Sequence, residues 1–256
     1  MSDFIDSMTE PQRFQLRALQ PANAVLLGAR VTRAARAAQS LEEAAGGIVS
    51  GLYEILGDST SDGPSVALAR FYRTISYADL EAELQEVAAE ILREDGGQPW
   101  AAMKCLTLMG SAGLEPTWNS RHTSARHRVI PLLSPTAVER LPMASRLISE
   151  LGMSVANLVE TGFDPAAEPE VGRARIFHVE EADGSPYIPD QEGFVRRYGI
   201  RSVIGFGSSL RSGDLWAVVL FTRVSVSLEV ARLFRMLATD IKIAILPVLS
   251  NRFFAA

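Results

Sequence analysis

The most legible stretch of the chain is Arg201–Val224, RSVIGFGSSLRSGDLWAVVLFTRV, where two apolar runs flank a short polar break. Val, Ile, Phe, Trp and Leu dominate both runs, and such side chains suit a pleated, half-buried surface. The pattern predicts strands over Ser202–Leu210 and Leu215–Val224, joined by a turn at Arg211-Ser212-Gly213-Asp214. Gly213 stands where a tight hairpin needs positive φ, and Asp214 tolerates turn geometry. LWAVVLF is almost unbroken in apolar residues, so both faces of that strand should be covered. From Ser227 the period becomes helical, with Val230, Leu233, Phe234, Leu237, Ile241 and Ile245 on one stripe ending near Leu246.

The other elements follow from the same patterns. Met1–Gln20 is polar and without clear periodicity, and reads as a mobile or loosely docked arm. Pro21 can open a helix over the Ala- and Arg-rich run Ala22–Ala38. Ser40 and Glu43 match a capping box, and the helix after them places Leu41, Ala44, Ala45, Ile48, Val49, Leu52, Ile55 and Leu56 on one face. Val66–Thr74 reads as a strand and Tyr77–Leu92 as a helix that Ser76 would cap. Ala102–Gly110 is a second buried strand, with a turn at Ser111–Pro116. Ser134-Pro135 opens a helix towards Leu151 that Pro142 should kink or split. Ala156–Val171 is loop-rich, Arg173–Val179 is a strand, and Gln191–Tyr198 a short helix. Hairpin-linked strands with helices gathered at the termini predict an α+β layered fold with a mostly antiparallel sheet. Residues 1–40 read as an N-terminal arm and helix, and 41–256 as one domain.

Composition narrows the class. At 256 residues the chain can bury a substantial core. A formal net charge of -5 weighs against a general nucleic-acid binder, which needs clustered Lys and Arg. One cysteine excludes a disulfide framework and a Cys-rich zinc site. No apolar run has the roughly 18–20 residues of a membrane helix, and no signal-peptide pattern opens the chain. The expectation is a cytoplasmic protein without a nucleic-acid or membrane partner.

Candidate chemistry concentrates in Trp118-Asn119-Ser120-Arg121, with His122, Arg126 and His127 beyond it. Arg supplies a rigid fork for carboxylate or phosphate and Trp a flat apolar wall, which is what a pocket for an anionic ligand needs. The alternative is a solvated loop whose arginines pair with nearby acids. Arg70 and Tyr72 fall on the same side of their strand and could face such a pocket. Phe177, His178, Tyr187 and Phe206 are further candidates, each also readable as core. Cys105 sits in an apolar strand, where free cysteine usually behaves as a small hydrophobe. His122 and His127 are five apart, unlike the metal spacing of HExxH. Gly205-x-Gly207 precedes a strand rather than a helix, which favours a bulge or a close approach over a phosphate cradle. No nucleophile elbow, HExxH or Walker loop is present, so the expectation is a protein that is not an enzyme.

Several of these stretches together resemble a GAF-like sensory domain of the type found N-terminal in bacterial sensor kinases and signalling proteins. They are LEEAAGGIVSGLYEIL, ALARFYRT, CLTLMGSAGLEPTWNSR, HRVIPLLSP and FHVEEADGSPYIPDQEGFVRRYGIRSVIGFGSSLRSGDLWAVVLFTRV with the final helix, spanning Leu41 to Leu246. The resemblance implies a central antiparallel sheet, with first and last helices on one face forming a homodimer interface. Loops and short helices on the other face would enclose a small-molecule pocket. A signalling partner protein is implied as well, because no kinase, cyclase or phosphodiesterase module is expected after Leu246. Within it, Arg70, Tyr72, Cys105, Trp118, Asn119, Arg121, His127, Phe177, His178, Tyr187 and Phe206 are the expected ligand-binding residues. The cofactor is open: the alternative for Cys105 is a tether for a bilin or a redox thiol, although Leu106 stands where bilin carriers place a histidine. His122, His127 or His178 could ligate a haem. A ligand-free scaffold acting through its surface helices is the remaining alternative.

Overall fold

The structure, a computed structural model, describes residues 13–56, 59–60, 63–94, 96–124, 126–159, 173–210, 212–249 and 253–255. The first twelve residues of the expected arm, most of the loop-rich stretch before Arg173, and Arg211 of the hairpin turn lie outside the described residues. What is described of the arm is docked: Phe14, Leu16 and Leu19 are buried, and Phe14 N–H donates to the Ile55 carbonyl at 2.9 Å.

Helices α1 (Pro21–Ala37) and α2 (Leu41–Ile55) precede the sheet strand β1 (Val66–Ser76). Then come α3 (Ala82–Glu94), β2 (Lys104–Gly113) and β3 (Val129–Pro131). The three short helices α4 (Pro135–Glu139), α5 (Pro142–Glu150) and α6 (Val155–Val159) follow. Strands β4 (Arg175–Val179), β5 (Ser202–Ser209) and β6 (Leu215–Thr222) and helix α7 (Leu228–Ile245) complete the fold. The six strands form one antiparallel sheet in the order β3-β2-β1-β6-β5-β4. The central strand β6 is buried along its whole length, which is why its sequence shows no polar alternation. The α+β architecture with terminal helices on one face is therefore observed.

Local chemistry accounts for the element ends. Ser40 Oγ accepts from Glu43 N–H at 3.1 Å, but the Glu43 carboxylate accepts from Gln39 N–H at 2.7 Å rather than from Ser40 itself. Pro142 divides the expected helix into α4 and α5 and starts the second, where a missing N–H is harmless. Gly213 adopts φ 78° in the β5–β6 turn. Two boundaries differ from expectation. Ser76 makes no side-chain cap, and a single 3-10 turn over Tyr77–Asp79 precedes α3. Strand β2 continues three residues past Gly110, because Ser111, Ala112 and Gly113 still pair with Arg70, Ala69 and Leu68 of β1.

The sheet separates two cores. On one face α1, α2 and α7 cover Ala69, Phe71, Cys105, Met109, Phe206 and Trp216, with Phe71 and Trp216 stacked at 5.5 Å between ring centroids. On the other, α4–α6 and the loops cover Leu68, Tyr72, Leu108, Phe177, Val219 and Phe221. Gly46, midway along α2, has nothing within 4 Å of where a Cβ would lie. Gly46→Ala is therefore expected to stabilise the protein by about 0.5–1 kcal/mol, read as a raised urea midpoint with an unchanged m-value.

Candidate binding site

Alternation along β1 turns Leu68, Arg70 and Tyr72 towards the loop-covered face. A bulge between Phe71 and Tyr72 resets the pairing with β2, leaving Arg70 opposite Ser111 and Tyr72 opposite Leu108. On the other side Arg70 faces Val219 of β6. Arg70 is 7% exposed as a residue; its Nη1 donates to Tyr72 Oη at 3.2 Å and to the Arg126 carbonyl at 3.3 Å. Its Nε is buried with no hydrogen-bond partner, and so is Ser111 Oγ on the neighbouring strand. Among the described residues no carboxylate pairs with Arg70. A buried cation and a buried hydroxyl left in this state both cost free energy.

The loop over this pair is held by its own contacts. Asn119 Oδ1 accepts from Gly113 N–H at 2.9 Å, and Trp118 packs against Tyr198 at 4.6 Å and Phe194 at 5.9 Å. Further along, His127 adopts φ 60°, the left-handed region that a side chain other than glycine enters at a cost. His127 is exposed as a residue, but desolvation of its ring first, and the Arg70 and Arg126 charges second, hold its imidazole below the ordinary value, with Asp190 opposing. Arg126 pairs with Asp190 at 3.4 Å, and Asp190 also accepts from Gly193 N–H at 2.9 Å.

The structure brings Arg70, Tyr72 and His127 together and places the other expected residues elsewhere. Arg121 lies 2.7 Å from both Glu42 and Glu81 and 4.9 Å from the Phe254 ring centroid, so its charge is already matched. For Arg121 the loop-pairing alternative is what is observed. Trp118 and Asn119 brace the loop. Cys105 and Phe206 are in the helix-covered core, with Phe206 5.2 Å from Phe234; burial pushes the Cys105 thiol up to about 12. The Cys105 thiol is thus poorly suited to redox sensing, which needs thiolate. His178 Nε2 lies 2.8 Å from the Val226 carbonyl, pinning β4 to the segment before α7. Phe177 shares the face and the register row of Arg70 but stands three strands away, roughly 14 Å at normal strand spacing. There it forms a separate group with Tyr187, both under the Arg146 guanidinium at 5.6 and 4.0 Å.

His122 is exposed, with Nε2 2.8 Å from Glu42, so the three histidines do not converge. The described residues hold no cluster of three metal-ligating side chains, and none of their helices is long and apolar enough to cross a membrane. Gly205 and Gly207 serve close packing: a Cβ on Gly205 would lie 2.7 Å from Leu147, and one on Gly207 would enter the β6 backbone. A groove of about 300 Å³ between α1 and α2, lined by Arg30, Gly47, Ser50 and Glu54 among others, lies on the helical side and away from Arg70. Sequence reasoning missed Ser111 and Asp190. Ser111 would have been found by continuing the alternation of β2 past Gly110, since it is in phase with Leu106 and Leu108 once the bulge is counted.

No family profile and no curated protein matches this chain. Among solved structures it is similar to the GAF domain of a phosphoenolpyruvate-protein phosphotransferase from Coxiella burnetii, at TM-score 0.46 and 13% identity, covering 89% of this chain and 95% of that one. It is also similar to the phycoerythrobilin-bound GAF domain of a cyanobacterial phytochrome, at 0.43 and 12%, covering 87% and 94%. A third is the N-acylhomoserine lactone-dependent LuxR-family transcription factor CepR2 from Burkholderia cenocepacia, at 0.42 and 11%, covering 90% and 98%. The chain itself has an α+β fold with a six-stranded antiparallel sheet, terminal helices on one face and loops on the other, which is the architecture that the resemblance of its sequence implies.

Proposed function

We propose that this chain is a non-enzymatic cytoplasmic regulatory domain that takes a small molecule on the loop-covered face of its sheet and responds through its helical layer. The observation that carries the reading is Arg70, a buried guanidinium with no carboxylate partner among the described residues. Folding alone gives no return for that arrangement, whereas recognition of a ligand does.

Strands β1 and β2 give the route from ligand to output. Arg70 and Ser111 face the loops, while Ala69, Phe71 and Gly110 on the same strands face α2 and its neighbours. A ligand that favours one placement of β1 and β2 biases the packing of α2, and with it α1 and α7. The outer surface of that layer exposes Val25 and Leu26 on α1, and Met236, Ile243 and Leu246 on and after α7. Exposed apolar side chains gathered on one layer suit a homodimer interface, through which a partner protein would read the bound state.

Sedimentation equilibrium tests the pairing. The wild type is expected as a dimer, and Ile243→Asp, which places a charge at a residue 59% exposed in the single chain, as a folded monomer with a near-unchanged melting temperature. A wild-type monomer at every concentration would contradict transmission by pairing.

A further inference from the structure

We propose that Arg70 and Ser111, with His127 beside them, form a subsite for the oxyanion end of a small molecule, a carboxylate or a phosphate. The inference rests on the ligand-binding reading above and gives it a chemical class.

Three arginines are buried among the described residues: Arg70, Arg73 and Arg121. Arg73 stands 3.6 Å from Asp214, and Arg121 2.7 Å from Glu42 and Glu81. Arg70 alone has only neutral acceptors, the Tyr72 hydroxyl and the Arg126 carbonyl. The unmatched charge is thus a property of this position and not of buried arginines in this fold. Its unused Nε–H and the unused Ser111 hydroxyl, 4% exposed as a residue, belong to directly opposed residues on adjacent strands. Two unused donors on directly opposed residues of a rigid sheet suit an acceptor with two or more oxygens and a negative charge. A neutral amide or hydroxyl would leave the guanidinium uncompensated.

His127 adds to the case through its backbone as well as its ring. Its φ of 60° is strain that the loop sustains while keeping the imidazole near Arg70. Among the described residues no group hydrogen-bonds either ring nitrogen. The charged groups acting on the ring are Arg70, Arg126 and Asp190, and the two arginines outweigh the aspartate. An oxyanion seated on Arg70 reverses that balance and raises the imidazole pKa. Arg126 is already engaged by Asp190, so it closes the rim rather than holding the ligand.

The test uses the full chain with inorganic phosphate and, separately, succinate as probes, at constant ionic strength. Wild type is expected to gain thermal stability saturably with at least one of them, by about 5–10 °C at a hundredfold excess over Kd. The His127 ring resonances should titrate at higher pH in its presence. Arg70→Met is expected to weaken the responding probe about 100-fold while raising the melting temperature of the unliganded protein, because an unmatched buried charge has been removed. Ser111→Ala should weaken it several-fold with the fold intact. Response to phosphate only, or to succinate only, assigns the source of the oxyanion. Binding unaffected by Arg70→Met, or a co-purifying small molecule that Arg70→Met retains, overturns the oxyanion subsite and leaves the ligand-binding reading standing. No response to either probe, with no small molecule carried by the purified protein, overturns both.

Discussion

Gly110→Ala is expected to destabilise the protein by about 2–4 kcal/mol, a fall of roughly 5–15 °C in melting temperature. The added Cβ would lie 2.6 Å from the Ala45 carbonyl carbon, 2.7 Å from its oxygen and 2.8 Å from the Gly46 nitrogen. All three are backbone atoms of α2, so no side-chain rotation relieves the overlap. The helix must move away from β2, or β2 must buckle beneath it. Either response disturbs the strand that carries Ser111, so the same variant should weaken any ligand on the loop-covered face although it lies on the opposite side. Equilibrium unfolding in urea checks the first effect, with Gly46→Ala as the control in the same helix turn. A Gly110→Ala protein within about 0.5 kcal/mol of wild type would mean that α2 is not seated on β2 at this distance.

Arg121→Met should cost about 2–4 kcal/mol at neutral pH, because it strips a buried partner from Glu42. The figure counts Glu42 chiefly, since Glu81 is more exposed and its share is screened. Burial alone would raise the Glu42 pKa. Hydrogen bonds from Arg121 and the Ala255 N–H, the Arg121 charge and His122 outweigh it and hold the value below 4.5. A carboxyl whose folded pKa is lowered stabilises fully above its unfolded pKa and loses that contribution as pH falls through the folded one. The gap between wild type and Arg121→Met should therefore narrow as pH drops below about 4.5, where Glu42 becomes protonated in the unfolded chain and then in the folded one. Chemical denaturation across that range measures it; a gap that stays constant would show that Arg121 acts through packing on Phe254 and not through Glu42. The same contact organises the C-terminal segment, since Glu42 N–H donates to the Phe253 carbonyl at 2.9 Å and Arg73 stacks on the Phe253 ring at 4.4 Å.

Arg121 also shows why the site was only partly legible in the sequence. The sheet and its hairpin could be read because a strand's apolar pattern is local, and Gly213 marks its turn locally as well. The capping residue Ser40 and the break at Pro142 are local signals of the same kind. Whether an arginine is free or paired is not local: the acids that match Arg121 lie 79 and 40 positions away. Strand parity had a similar limit. Alternation correctly put Arg70 and Tyr72 on one side together, but it cannot say which side the helices cover. Cys105 and Phe206 therefore look in sequence like the loop-side candidates, while the folded sheet holds them on its opposite face. Ser111 was missed because glycine at 110 reads as an end to the strand, when its actual role is to admit α2.

The central claim is that the folded protein carries a small molecule on the loop-covered face and couples it to pairing of the helical layer. Native mass spectrometry of the freshly purified protein, recorded beside the same sample under denaturing conditions, tests that claim most directly. The account predicts a dimer with an added small mass that is lost on denaturation and is absent from Arg70→Met. A bare monomer, with no added mass under the gentlest ionisation, would contradict both halves of it.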